Sequence, residues 1–284
     1  MKIDSMKIKN FRGYKDETEI KLNDLTVLVG KNDIGKSTIL EALDIFFNDG
    51  KGVIKLDKTD VNVKSRTEEN LDIEISVCFS ELPEQIVIDS TVETSLQDEF
   101  MLNANGQLEV IKRYKNGGFA KVFIKAKHPT NDKCAELLLK KNRDLKRIIQ
   151  SENIECENQT VNAEMRKAIW NKFSDDLQQD IIEIDVSKED AKKIWEKLSN
   201  YLPTYSLFQS DRKNSDGDNE IQDPLKTAVK QILSDTELQA TLAEVAVEVE
   251  NKLKEVADRT LTKLREMDPA IAASLNPIIH QQIV

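Results

Sequence analysis

Apolar and polar positions divide the chain into a front half that reads as strand, loop, helix and meander, and a rear half that reads as helix. In Met6-Lys-Ile8-Lys-Asn-Phe11 the two kinds of residue alternate, predicting a half-buried strand, and Leu25-Thr-Val-Leu-Val29 is a short apolar run suited to a buried one. Between Lys36 and Asn48, Ile39, Leu40, Leu43, Phe46 and Phe47 recur at three- and four-residue spacing, predicting a helix with one buried face. Leu71, Ile73, Ile75, Val77 and Phe79 then alternate without a break, a strand with Asp72, Glu74 and Ser76 turned outward. Residues 108–115 and 119–127 form two further strand candidates joined by Lys115-Asn-Gly-Gly118, so this part reads as an antiparallel meander.

From about 132 to 200 the pattern turns helical and highly charged, with Trp170 and Trp195 among Ile169, Phe173, Ile194 and Leu198, which predicts a helical side lobe. Tyr205-Ser-Leu-Phe208 returns to strand character, and 211–223 is a polar, glycine-containing loop that is mobile or faces a ligand. Pro224 can open a helix at its first turn. A second helix starts at the capping-box spacing Ser234-Asp-Thr-Glu237 and carries Leu238, Leu242, Val245, Val249, Leu253 and Val256 toward Met267, where Asp268-Pro269 stops it. So long an amphipathic helix packs on its own domain or pairs with a second chain.

Composition narrows the class. The chain has 284 residues, enough to bury a sizeable core, and no apolar run near the roughly 20 residues that cross a bilayer. MKIDSMKIKNF offers no apolar stretch of a secretory leader, so a cytoplasmic, membrane-free protein is expected. Cys78, Cys134 and Cys156 stand far apart and only His128 and His280 could join them, which predicts buried free thiols and no metal centre. With 41 basic and 51 acidic residues the formal charge is −10, so any nucleic-acid contact must be local. The basic stretches, Lys121, Lys125, Lys127 and His128, and Lys140, Lys141, Arg143, Lys146 and Arg147, read first as solvated faces.

One motif carries chemistry. Gly30-Lys-Asn-Asp-Ile-Gly35-Lys36-Ser37 fits the phosphate-binding loop G-x-x-x-x-G-K-[ST] at every fixed position, between a predicted strand and a predicted helix. The glycines let successive N–H groups and the positive end of the helix face phosphates. Lys36 would reach the β- and γ-phosphates, and the Ser37 hydroxyl would hold Mg²⁺.

The run Ile8-Lys-Asn-Phe11-Arg12-Gly13-Tyr14, followed by Leu25 to Leu43, resembles the N-terminal lobe of SMC-like ABC ATPases, a group that includes RecF and the OLD (overcoming lysogenisation defect) ATP-dependent nucleases. The family loop reads G-x-N-x-x-G-K-S/T, and Asn32 falls on its extra asparagine. Asn-Asp-Ile-Gly-Lys-Ser and the helical insert point to the OLD type. The resemblance implies a nucleotide site formed by Gly30, Lys31, Asn32, Asp33, Ile34, Gly35, Lys36, Ser37 and Thr38, with Arg12 near the phosphates. It further implies that Gln209 acts as the Q-loop glutamine that senses Mg²⁺ and the attacking water, with Lys36 as its catalytic partner and Ser37 and Gln209 as the metal contacts. Asp211 and Arg212 could join a γ-phosphate-sensitive switch.

The family pattern also requires a signature loop, a Walker B strand ending in Asp-Glu and a switch histidine. Ile181 to Val186 and Asp57-Lys-Thr-Asp60 both fail as Walker B. The expectation is therefore an α/β P-loop NTPase of the ABC/SMC-like head type with an antiparallel β subdomain and a helical insertion, the front half of a larger protein. Its parts would be an N-terminal lobe at 1–222, a helical insertion or dimerisation arm at 223–268, and the start of a return to the ATPase domain at 269–284. ATP and Mg²⁺ are the implied cofactors. The implied partners are a second copy, through the ATPase heads and helix 234–267, DNA in the complete assembly, and a partner protein of an anti-phage defence system. A RecF- or SMC-like repair ATPase without nuclease, and a subunit that binds ATP and assembles without hydrolysis, stand beside the nuclease reading.

Overall fold

The computed structural model describes residues 1–30, 35–50, 52–88, 92–188, 191–208, 247–248, 251–260, 262–263 and 266. The chain divides into two compact units, Met1–Ser210 and Asp211–Val284.

The first unit is organised by one antiparallel sheet of six strands, in the order β2-β1-β3-β4-β5-β6. These are β1 (Lys2–Lys9), β2 (Thr18–Lys21), β3 (Asp72–Ser80), β4 (Leu108–Lys115), β5 (Ala120–Pro129) and β6 (Gln179–Asp185). Register follows the alternation in the sequence. Met6 faces Val77 and Val77 faces Val110, while Ile8 faces Ile75, so the apolar positions of three strands fall on one side of the sheet. The chain between β4 and β5 turns at Asn116 and Gly117, both at positive φ, which asparagine and glycine tolerate, and the turn is closed by the Gly118 amide donating to the Lys115 carbonyl at 2.9 Å.

Helix α1 (Lys36–Asn48) lies on the apolar side, burying Ile39, Ala42, Leu43, Ile45 and Phe46. Phe46 and Phe47 pack on Phe79 of β3, with ring centroids 6.4 and 6.1 Å away. The C-terminal end of the helix is held by the sheet. Buried Lys112 of β4 donates to the Phe46 carbonyl at 2.7 Å and pairs with Asp49, and Tyr114 Oη donates to the Ile45 carbonyl at 3.3 Å. Burial pushes the Lys112 ammonium below its ordinary pKa while Asp49 pulls the other way. Along the same helix, buried Asp44 accepts from the Ile54 amide at 2.8 Å and from Asn48 Nδ2 at 2.8 Å.

The short helix α2 (Val63–Thr67) and a 3₁₀ turn at Lys58–Asp60 precede β3. Helices α3 (Asn142–Ser151), α4 (Asn162–Lys172) and α5 (Ala191–Leu198) fall in the range 132–200 whose pattern predicts helix, although the same range also supplies β6 to the sheet. Leu145, Ile149, Met165, Ile169 and Trp170 of these helices join the core of the sheet, and a fully buried ion pair ties α4 to residue 99, Arg166 donating to Glu99 at 2.7 and 2.9 Å.

Several expectations change. Leu25–Val29 forms no ladder with a described strand, and Leu25, Val27 and Val29 are 83%, 72% and 89% exposed; the apolar run is there, but no described strand covers it. Tyr205–Phe208 is also not a strand: Tyr205 donates to the Leu40 carbonyl at 2.9 Å and stacks on Phe47 at 5.7 Å, so the segment is held to α1 by the Tyr205 side chain rather than by a ladder. The edge strands β2 and β6 were not anticipated. Ser76 does not face solvent; it is buried on the polar side of the sheet beside Glu109, which also takes Lys7 at 2.8 Å. On that side Arg113 reaches Glu74 at 2.5 Å and both oxygens of Glu183.

His128 leaves the basic stretch, because alternation along β5 turns it to the opposite side from Lys125 and Lys127 and into the core. Its Nδ1 meets the Phe100 carbonyl at 2.9 Å, its Nε2 is buried without a hydrogen-bond partner, and burial lowers its pKa to about 4. Cys78 and Cys134 are buried free thiols, as expected, while Cys156 is only half-buried. Among the described residues no group of three or more His, Cys, Asp or Glu could hold a metal ion, and no helix is long and apolar enough to cross a membrane.

In the second unit the described residues 247–248, 251–260, 262–263 and 266 are helical, and Leu253 and Val256 are exposed. The rest of the expected helix 234–267, the 211–223 loop with Asp211 and Arg212, and Pro224 lie outside the described residues.

Candidate nucleotide site

The N-terminal end of α1 is built as an anion acceptor. Its N-cap is Gly35, at φ 90°, a left-handed conformation natural only to glycine. Glycine brings no side chain to cap the first N–H groups, and the first turn holds no acidic residue. Among the described residues no side chain caps this end, so its N–H groups and the positive end of the helix dipole suit an anionic ligand. Lys36 folds back across this mouth, its Nζ donating to the Gly30 carbonyl at 2.6 Å and so linking the two ends of the loop. Ser37 is exposed beside it and Thr38 half-buried. Lys31, Asn32, Asp33 and Ile34 lie outside the described residues, as does Gln209.

A second wall comes from the chain between β1 and β2. Tyr14 Oη donates to the Gly35 carbonyl at 3.3 Å, and its ring would touch a Cβ at position 35 from 3.2 Å. Gly35 is thus required twice, by its backbone conformation and by its neighbour. Two residues earlier Arg12 sits at φ 48°, held there because its amide donates to the Asp60 carbonyl at 2.6 Å and its own carbonyl accepts from Asn62 Nδ2 at 2.5 Å. The guanidinium lies over the Phe11 ring, 5.0 Å from its centre. Its Nε donates to Asp60 Oδ1 at 2.8 Å and its Nη1 to Glu41 of α1.

The structure thus brings together Gly30, Gly35, Lys36 and, through Glu41, Arg12. Sequence reasoning passed over three residues of this arrangement, Tyr14, Glu41 and Asp60. Asp57-Lys-Thr-Asp60 did carry a signal: Asp57 and Asp60 form a reciprocal capping box, in which Asp57 accepts from the Thr59 amide and Asp60 Oδ2 from the Asp57 amide at 2.9 Å. That spacing predicts an ordered turn, and the turn aims Asp60 at Arg12.

A Gly-Lys-Ser loop opening a helix, set on a sheet with which that helix shares its core, defines a mixed α/β P-loop nucleoside triphosphatase. The chain belongs to the AAA_15 family, described as an AAA ATPase domain, whose model matches residues 1–284. No curated protein matches the sequence. A solved chain described as "Structural biochemistry of ATP-driven dimerization and DNA stimulated activation of SMC ATPases" is similar at 14% identity, over 53% of this chain and 92% of its own, with a TM-score of 0.30.

Proposed function

We propose that this chain is the ATP-binding portion of an OLD-like ATP-dependent DNA endonuclease, in which Mg²⁺-ATP regulates nuclease activity or assembly in anti-phage defence. The observation that carries nucleotide binding is the mouth of α1: an N-terminus at Gly35 that no described side chain caps, free of acidic residues in its first turn, with Lys36 bent over it. Phosphates fit this mouth because they supply the acceptors that the backbone leaves open. Lys36 adds a point charge, Ser37 a hydroxyl for Mg²⁺, and Arg12 a planar donor from the facing turn. Bound Mg²⁺-ATP would bring the phosphoryl group whose transfer the complete enzyme drives; these residues bind and orient it. The OLD reading rests on the resemblance of residues 1–80. For DNA, the densest positive charge in this acidic chain lies at Lys140, Lys141, Arg143, Lys146 and Arg147, with Asp144 the one acid among them.

A second reading, a subunit that binds ATP and assembles without hydrolysing it, is favoured by one observation, the exposure of Leu253 and Val256 on the helical stretch 251–260. Light scattering of Leu253→Asp/Val256→Asp tests the assembly: a fall from dimer to monomer supports pairing through this helix, and an unchanged mass removes it.

The test of the main reading is calorimetric titration of the 284-residue chain with Mg²⁺-ATP, with phosphate release followed in parallel. Binding lost in Lys36→Ala supports the site. Undiminished affinity in that variant overturns it.

A further inference from the structure

We propose that Glu41 is a positioning residue for Arg12, holding the guanidinium against α1 until the phosphates of a nucleotide take its place; the inference rests on the phosphate-loop reading above. Glu41 follows Ser37 by four residues on α1, so the two side chains share one face of the helix, roughly 6 Å apart at Cβ. By accepting from Arg12 Nη1, Glu41 brings the guanidinium within one helical turn of the mouth.

The two carboxylates on Arg12 differ in kind. Asp60 is committed to its own turn, with Oδ2 on the Asp57 amide while Oδ1 takes Arg12 Nε. Glu41 makes its one polar contact among the described residues with Arg12. The Arg12 backbone is fixed by Asp60 and Asn62, so movement is left to the side chain. A guanidinium has five N–H donors, of which these contacts occupy two, and both Arg12 and Glu41 are partly open to solvent at 33% and 19%. A polyphosphate arriving at the mouth competes with Glu41 for the same donors and carries more charge. Glu41 therefore lowers nucleotide affinity and makes the engagement of Arg12 conditional on phosphate, coupling the turn after β1 to the state of the loop.

The experiment is a double-variant cycle on the full chain, measuring Mg²⁺-ATP affinity by calorimetry and the urea midpoint of each protein. Glu41→Gln keeps the shape and removes the charge. It is expected to tighten Mg²⁺-ATP roughly three- to fivefold, the scale of one partly screened charge contact, and to have no effect on affinity in an Arg12→Ala background. Equal tightening with and without Arg12 would show a bare through-space charge and overturn the inference, as would weakened or unchanged binding in Glu41→Gln. Lys36→Ala separates the layers. Binding that needs Lys36 but shows no coupling between Glu41 and Arg12 overturns this inference alone; binding indifferent to Lys36 overturns the nucleotide site and this inference with it.

Discussion

Lys112 Nζ donates to the main-chain carbonyl of Phe46 at 2.7 Å, so a buried cation of the sheet closes the C-terminal end of the helix that begins at Gly35. A lysine at that end completes unpaired carbonyls and is favoured by the helix dipole, which offsets the cost of burying its charge. Lys112→Met keeps most of the volume and loses the donor, so it should cost about 1–2 kcal/mol, the penalty of a buried carbonyl left without a partner. Lys112→Ala adds a cavity and should cost about 1–2 kcal/mol more. Urea denaturation of both variants measures the difference, and equal costs would assign the role of Lys112 to its ammonium head and none to the volume of its stem.

Gly35→Ala should destabilise the chain by about 1–2 kcal/mol, because alanine at φ 90° is strained. The new methyl also meets Tyr14 Cε2 at 3.2 Å. Removing the ring by Tyr14→Ala should therefore cost less in the Gly35→Ala background than in the native chain. Additive costs, read from denaturation midpoints, would show that strain at the backbone acts alone.

His128 makes stability depend on pH. Its folded pKa of about 4 lies below the ordinary 6.5, so the unfolded chain binds the proton more readily and stability falls as pH drops from 6.5 toward 4. The contribution lost by pH 4.5 is about 2 kcal/mol. Carboxylates titrate in the same range, so the useful quantity is the difference from His128→Phe. That variant should be the less stable protein at pH 7.5, having lost the bond to Phe100, and the gap should close or reverse at pH 4.5. A gap constant across this range would refute the assignment.

Arg166 and Glu99 are a third test of the core. Their side chains are 1% and 2% exposed, and Arg166→Leu would leave a carboxylate buried without its cation, at a cost of about 3–5 kcal/mol. The double change Arg166→Leu/Glu99→Leu should recover much of that loss in thermal unfolding. Failure to recover would mean that the pair, and not only its charge balance, holds α4 in place.

Much of this architecture is legible in the residues. Helix α1 spans the very residues that its periodicity predicts, and β3, β4 and β5 emerge with the meander turn, because a single buried face imposes its period on the side chains. Edge strands escape the same reading: β2 alternates but over only four residues, too few to stand out, and β6 is exposed at three of its first four positions, so its apolar residues mark no buried face. Leu25–Val29 shows the converse. An apolar run states what the chain would bury, while the partner that buries it is a matter of tertiary structure. At the site, glycines, lysine and serine announce themselves by fixed local spacing. Glu41 does not, since it matters only through a guanidinium 29 residues away, and the capping-box spacing that orders Asp60 does not name its partner 48 residues away.

The open run before the phosphate loop has a practical consequence. Leu25, Val27 and Val29 present alternate aliphatic side chains to water on a segment without a ladder partner among the described residues. Such a segment invites any passing extended chain to zip alongside it. Purified at high concentration, the 284-residue chain should self-associate in a way that rises with protein concentration and yields to a single lysine at Val27.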